Sequence, residues 1–147
     1  MELIIYGAYL FLAVFNAGNM TTLQIQHYGI YPFVGKENFR NYMRANNQAA
    51  AVPSILPALL LLVINLILLF YRPVFFSTTA TLLSLSFNAI ALVSTFVWQR
   101  KLQGQMAIEG YDENKIKLLI STNWIRTIAF LMQAILAVII TIKAVCS

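Results

Sequence analysis

The stretch that decides the fold is 118–142, LLISTNWIRTIAFLMQAILAVIITI. As a helix it is long enough to cross the roughly 30 Å hydrocarbon layer of a bilayer, which takes about 20 residues. Its first turns nevertheless carry Asn123, Arg126 and Thr127. A charge at the centre of a membrane helix costs about 2.5–3.5 kcal/mol on insertion scales, and less near the boundary. Arg126 lies about 12 Å along the axis from the start of the run, a depth that permits partial snorkelling. At 100° per residue, however, Asn123, Arg126, Thr127, Phe130, Gln133, Ala137 and Thr141 share one face, while Ile125, Ile128 and Ile139 occupy the opposite one. An arginine on such a stripe is predicted to face other helices or enclosed water, with Asn123 one turn away as a hydrogen-bond partner.

Three further runs have similar length and character: 3–23, 52–71 and 74–98. The 147-residue chain is 60% hydrophobic and 10% charged, against about 25% charged in a typical soluble domain. A soluble core of this size cannot bury that much apolar surface, so lipid is expected to cover the excess. The runs are continuous and lack sustained alternation, which favours helices over barrel strands. The predicted fold is all-α: a polytopic membrane four-helix bundle forming a single integral membrane domain over 1–147. Glu2 stands where a cleavable leader has basic residues, so the first run is expected to be retained as a helix.

Each of the other runs also carries a polar stripe: Asn16, Asn19, Gln26 and His27; Asn47, Ser54 and Asn65; Thr81, Ser84, Asn88, Thr95 and Gln99. Lipid cannot satisfy these groups, so they are expected to line a polar bundle interior. Pro53 and Pro57 predict a kink that widens one end. The second and third runs are joined only by YRP at 71–73 and form an antiparallel hairpin. The first connection looks helical from about Lys36, suiting a short helix that lies at the interface or caps the bundle. The last connection contains Gly104 and Gly110, with Asp112 and Glu113 at the start of the final helix, where acids suit the dipole.

The net charge is +5, but its distribution reads as topology rather than as a nucleic-acid face. Lys36, Arg40 and Arg44 fall in the first connection and Arg100, Lys101, Lys115 and Lys117 in the third. Arg72 and Lys143 lie at the other end. The positive-inside rule places the first and third connections in the cytoplasm and both termini on the non-cytoplasmic side.

The chain has five acids, Glu2, Glu37, Glu109, Asp112 and Glu113, none within a run. Arg126 must therefore meet a loop carboxylate, backbone carbonyls or an anionic ligand, with Glu37 and Glu109 as the local acids. His27, Tyr28, Tyr31, Asn47, Trp98, Gln99, Asn123 and Arg126 all map toward the same end. Such a convergence suits a small amphipathic ligand, with Trp124 and Phe130 flanking its ring and Glu37 nearby. His27, the one histidine, is the candidate proton shuttle and catalytic residue. With one cysteine, no HExxH and no CxxC, no metal site is expected. No cofactor is assigned.

The segments QIQHYGIYPFVGKENFRNYM (24–43) and GYDENKIKLLISTNWIRT (110–127), with the four spans, resemble a family of small bacterial membrane proteins of unknown function, loosely anthrone-oxygenase-like. TNWIRT is the most specific element. The resemblance implies the architecture, a bacterial inner membrane and an aromatic or quinone-like ligand. The family's histidine after the third span is absent here, where the stretch reads WQRKLQGQM, so chemistry needing a second histidine does not carry over. Two functions follow as expectations. One is a cytoplasmic-side pocket for a small amphipathic ligand, aromatic, quinone-like or anionic, in a membrane oxidoreductase or oxygenase-like protein. The other is a non-enzymatic subunit or assembly factor, in which the stripes knit helices together and the partner is another membrane protein or a second copy of the chain.

Overall fold

A computed structural model describes residues Met1–Cys146, whose architecture is an all-α bundle. Its helices are α1 (Glu2–Thr22), α2 (Phe39–Ala50), α3 (Leu56–Leu68), α4 (Thr78–Ser94), α5 (Arg100–Glu109) and α6 (Glu113–Cys146). Three continuous helical stretches, Glu2–Phe33, Thr78–Glu109 and Glu113–Cys146, are long and apolar enough to cross a membrane. The α2–α3 pair, bent by 49°, supplies a fourth if counted as one span.

Helices α1, α3, α4 and α6 pack around a core of Tyr6, Tyr9, Leu61, Leu68, Phe76 and Phe130, interleaved with alanines that let the backbones approach. Outward faces are apolar: Ile125, Ile128 and Ile139 are all exposed, as the periodicity of the last run predicts. The polar stripe of α6 is buried from Asn123 to Gln133, as are Thr81, Ser84, Asn88, Thr95 and Gln99 on the α4 side.

Ser84 is the knot of this interior. Its hydroxyl hydrogen-bonds to the Tyr9 hydroxyl (2.9 Å) and to Asn65 Oδ1 (2.7 Å), and Gln133 Nε2 donates to it (2.8 Å). One side chain thus joins all four helices. Interhelical hydrogen bonds in membrane bundles average about 0.6 kcal/mol and reach about 1.7. Ser84→Ala breaks several at once and is expected to cost about 1–2 kcal/mol in denaturant titrations in detergent. An unchanged midpoint would show that the knot contributes nothing to cohesion.

The fold departs from the sequence reading beyond the predicted spans. The first connection is helical over α2, as expected, and the third connection is helical as well, so the two form a second storey. α4 continues through Thr95–Gln99 into α5, and α1 continues through Leu23–His27 and a 3-10 segment, Tyr28–Phe33. α2 packs on α5 around a second core of Tyr28, Tyr31, Phe39, Met43, Leu102, Met106, Ile116 and Leu119. Gly104 sits inside α5. Gly110, with φ of 94°, ends that helix in the left-handed region open to glycine. Asp112 Oδ1 then accepts from the Lys115 backbone N–H at 3.0 Å, an N-cap for α6.

Candidate functional site

Between the two storeys three helical paths widen into π turns: Leu23–His27, Ala51–Ile55 and Thr95–Gln99. A π turn closes i→i+5 bonds and fits one extra residue into the turn, which rotates everything beyond it and is frequent at functional sites. The second has a covalent cause. Pro57 has no N–H to give the carbonyl four residues back, Pro53 O, and Asn19 Nδ2 takes that acceptor at 2.8 Å.

All three π turns contribute to one polar cavity: Leu23 and His27 from the first, Ser54 and Ile55 from the second, Thr95 and Gln99 from the third. Tyr28, Asn46, Asn47, Ala50, Arg100, Gln103 and Arg126 complete its wall. Its volume is about 30 Å³, room for about two waters or one small polar group. Ligand pockets for drug-sized molecules run to about 300–1,000 Å³, so an aromatic ring does not fit inside.

Arg126 is 5% exposed. Its Nε donates to Asn123 Oδ1 and its Nη2 to the Tyr28 hydroxyl at 2.7 Å, with the guanidinium carbon 5.9 Å from the Tyr28 ring centre. A guanidinium has five N–H groups, and no other hydrogen bond from Arg126 occurs among the described residues. Asn123 in turn donates from Nδ2 to Gln24 Oε1 at 2.5 Å, tying α6 to the first helix.

No carboxylate reaches Arg126 among the described residues. Lys115 takes Glu109 and Asp112, and Lys117 takes Glu113 at 2.6 Å. Glu37 lies in an outer groove with Lys36, Arg40 and Tyr111, away from the cavity wall. Of the open alternatives for Arg126, the loop acid is thereby displaced by an asparagine, a tyrosine and the cavity itself.

The structure brings together Arg126, Asn123, Asn47, Gln99 and His27. Tyr31 stands behind His27, its hydroxyl 3.2 Å from His27 Nε2 and accepting from Asn46 Nδ2 at 2.9 Å. Two expected ring-flanking residues are elsewhere. Trp124 is 45% exposed on the outer face of α6, and Phe130 is buried in the apolar core a turn beyond the cavity. Sequence reasoning also placed Gln26 on the inner stripe, but it is exposed and Gln24 is buried in its place. The π turn at Leu23–His27 shifts the phase there. Gln24 and Gln103 are neighbours of the site that strict helical periodicity misses, whereas Tyr28 is among the residues expected at this end. Among the described residues no group of three or more histidine, cysteine or carboxylate side chains converges to hold a metal ion.

No protein-family model matches the chain, and neither a curated protein nor a solved structure is detectably similar to it.

Proposed function

We propose that the chain is a multi-pass membrane protein that binds the anionic or carbonyl-bearing head of a small amphipathic ligand at Arg126. The observation that carries this reading is a buried guanidinium with no carboxylate partner among the described residues, edging a polar cavity. Burying an ion without compensation costs several kcal/mol, and an intramembrane charge is by default a functional one. The small cavity limits the reading to the ligand's head; any aromatic or quinone-like portion lies outside it, among the acyl chains. His27 lines the same cavity and, backed by Tyr31, is placed to accept or return a proton in an oxidoreductase or oxygenase-like reaction. Native mass spectrometry of the intact protein tests the binding: a small molecule should be retained by the wild type and lost from an Arg126 variant.

The rival reading, a non-enzymatic subunit or assembly factor, draws on the same small volume, which two ordered waters would fill. It predicts stable co-purification with another membrane protein and no retained small molecule.

The basic residues of α2, α5 and the start of α6 favour a cytoplasmic second storey, and with it an inner-membrane orientation with both termini outside. Cys146, the sole cysteine, is exposed at the C-terminal end. In intact bacterial cells it is expected to react with a membrane-impermeant maleimide. Labelling only after the cells are opened would reverse the orientation.

A further inference from the structure

The four long helices pack in a ring, α1 on α3, α3 on α4, α4 on α6 and α6 on α1, and in the second storey α2 packs on α5. The ring is interrupted at one level. Packed helices run about 8–10 Å apart, yet among the described residues no Cα of Ala51–Ile55 comes within 8 Å of any Cα in Thr78–Glu109. The chain bends by 49° at this π turn and stands off from its neighbour there, with α3 on α4 to one side of the break and α2 on α5 to the other. Toward α1 the same turn is closed, because Asn19 Nδ2 donates to the Pro53 carbonyl at 2.8 Å. Since α3 and α4 are adjacent in the ring, the break opens sideways.

The cavity lies behind this break. Ser54 and Ile55 line it from one side, Thr95, Gln99 and Arg100 from the other, and Arg126 reaches it from α6 across the ring. Trp98 and Trp124 are exposed at this level, one residue before Gln99 and two before Arg126. Tryptophans gather where headgroups meet hydrocarbon. Toward the middle of the bundle the exposed surface is apolar, with Leu56, Val93 and Phe96, and in the opposite direction exposed Arg100 and Lys101 begin the basic storey. The break therefore opens at the headgroup boundary of one leaflet.

Resting on the anion-binding reading of Arg126, we propose that the ligand is an anionic lipid ending in a bare oxyanion, of the phosphatidic acid or fatty acid type, admitted sideways between the α2–α3 junction and α4. The head enters the cavity while the chains stay in the bilayer, and the second storey need not move. Volume and charge set the head: about 30 Å³ holds one small polar group, and the wall carries Arg126 and the exposed Arg100 but no carboxylate. Choline and ethanolamine heads are too large and would bring a cation against two guanidiniums.

The experiment is photo-crosslinking of the intact chain in phosphatidylcholine nanodiscs. The probe is phosphatidic acid with a diazirine high in one acyl chain, and the control is phosphatidylcholine with the same chain. The acidic probe is expected to label residues 50–56 and 95–100 at least about tenfold more than the control, the effect of one charge-assisted hydrogen bond. Arg126→Gln should remove this excess. Ser54→Trp, which fills the break and leaves the Asn123 and Tyr28 contacts of Arg126 in place, should remove it too; Ile55→Trp makes the same test if Ser54→Trp lowers helicity. Excess inorganic phosphate should not displace the probe. Labelling equal for the two lipids, or spread evenly over the four spans, overturns the lateral lipid site, as does displacement by inorganic phosphate, which identifies a water-borne anion. The anion site itself is decided separately: it stands if native mass spectrometry still finds a small molecule retained through Arg126, and falls if none is.

Discussion

Arg126→Gln is expected to abolish ligand retention, with affinity falling at least about a hundredfold, while thermal stability in detergent stays level or rises. The two halves of this result have one cause. Charge-assisted hydrogen bonds contribute about 1.5–3 kcal/mol each, and losing two to a ligand accounts for the drop in affinity. The protein itself, by contrast, carries a buried cation with no carboxylate partner among the described residues. Replacing a poorly compensated buried charge by a neutral group of similar reach is often neutral or stabilising. A purely structural arginine predicts the reverse: loss of stability and no change in binding. Parallel denaturation and binding measurements on one variant separate the two.

Asn123→Leu should produce the largest loss of stability in the molecule, about 3 kcal/mol. Asn123 answers two buried groups at once, accepting from Arg126 Nε and donating to Gln24 Oε1, and it is itself fully buried. Leucine leaves both without a partner, at about 1–3 kcal/mol for each unsatisfied group and more where one is charged. Ligand binding should weaken as well, because the guanidinium loses the contact that aims it. Pairing the change with Gln24→Leu should restore part of the stability but none of the binding, since only the neutral orphan is then removed. Equal stability of Asn123→Leu and the wild type would mean that water reaches this seam freely.

Much of the bundle follows from apolar run length and from one periodicity. Asn123, Arg126, Thr127 and Gln133 fall on the buried face of α6 because nothing interrupts a regular helix there. The same rule places Thr81, Ser84 and Asn88 along α4. It fails where the helix is not regular. Hydrophobic spacing carries no mark of a π turn, so Gln26 was favoured over Gln24, and the clustering of three such turns around one cavity is invisible to it. The helix of the third connection is masked for a different reason. That segment is charged and contains Gly104 and Gly110, composition that reads as connection. It folds as helix because Leu102 and Met106 share a core with Phe39, Met43, Tyr28 and Tyr31. Trp124 neighbours Arg126 in sequence, and Phe130 shares its helical face. Trp124 points about 160° away from Arg126 around the helix, and Phe130 lies one turn too far along it.

The measurement that bears most directly on the buried guanidinium is an experimental density map of the chain in lipid, fine enough to show ordered solvent and small ions. The account predicts non-protein density in the cavity beside the Arg126 guanidinium, with no protein carboxylate within about 4 Å of Arg126. A Glu37 or Glu109 side chain folded onto Arg126, or a guanidinium turned out to the acyl chains with a dry, filled centre behind it, would contradict it.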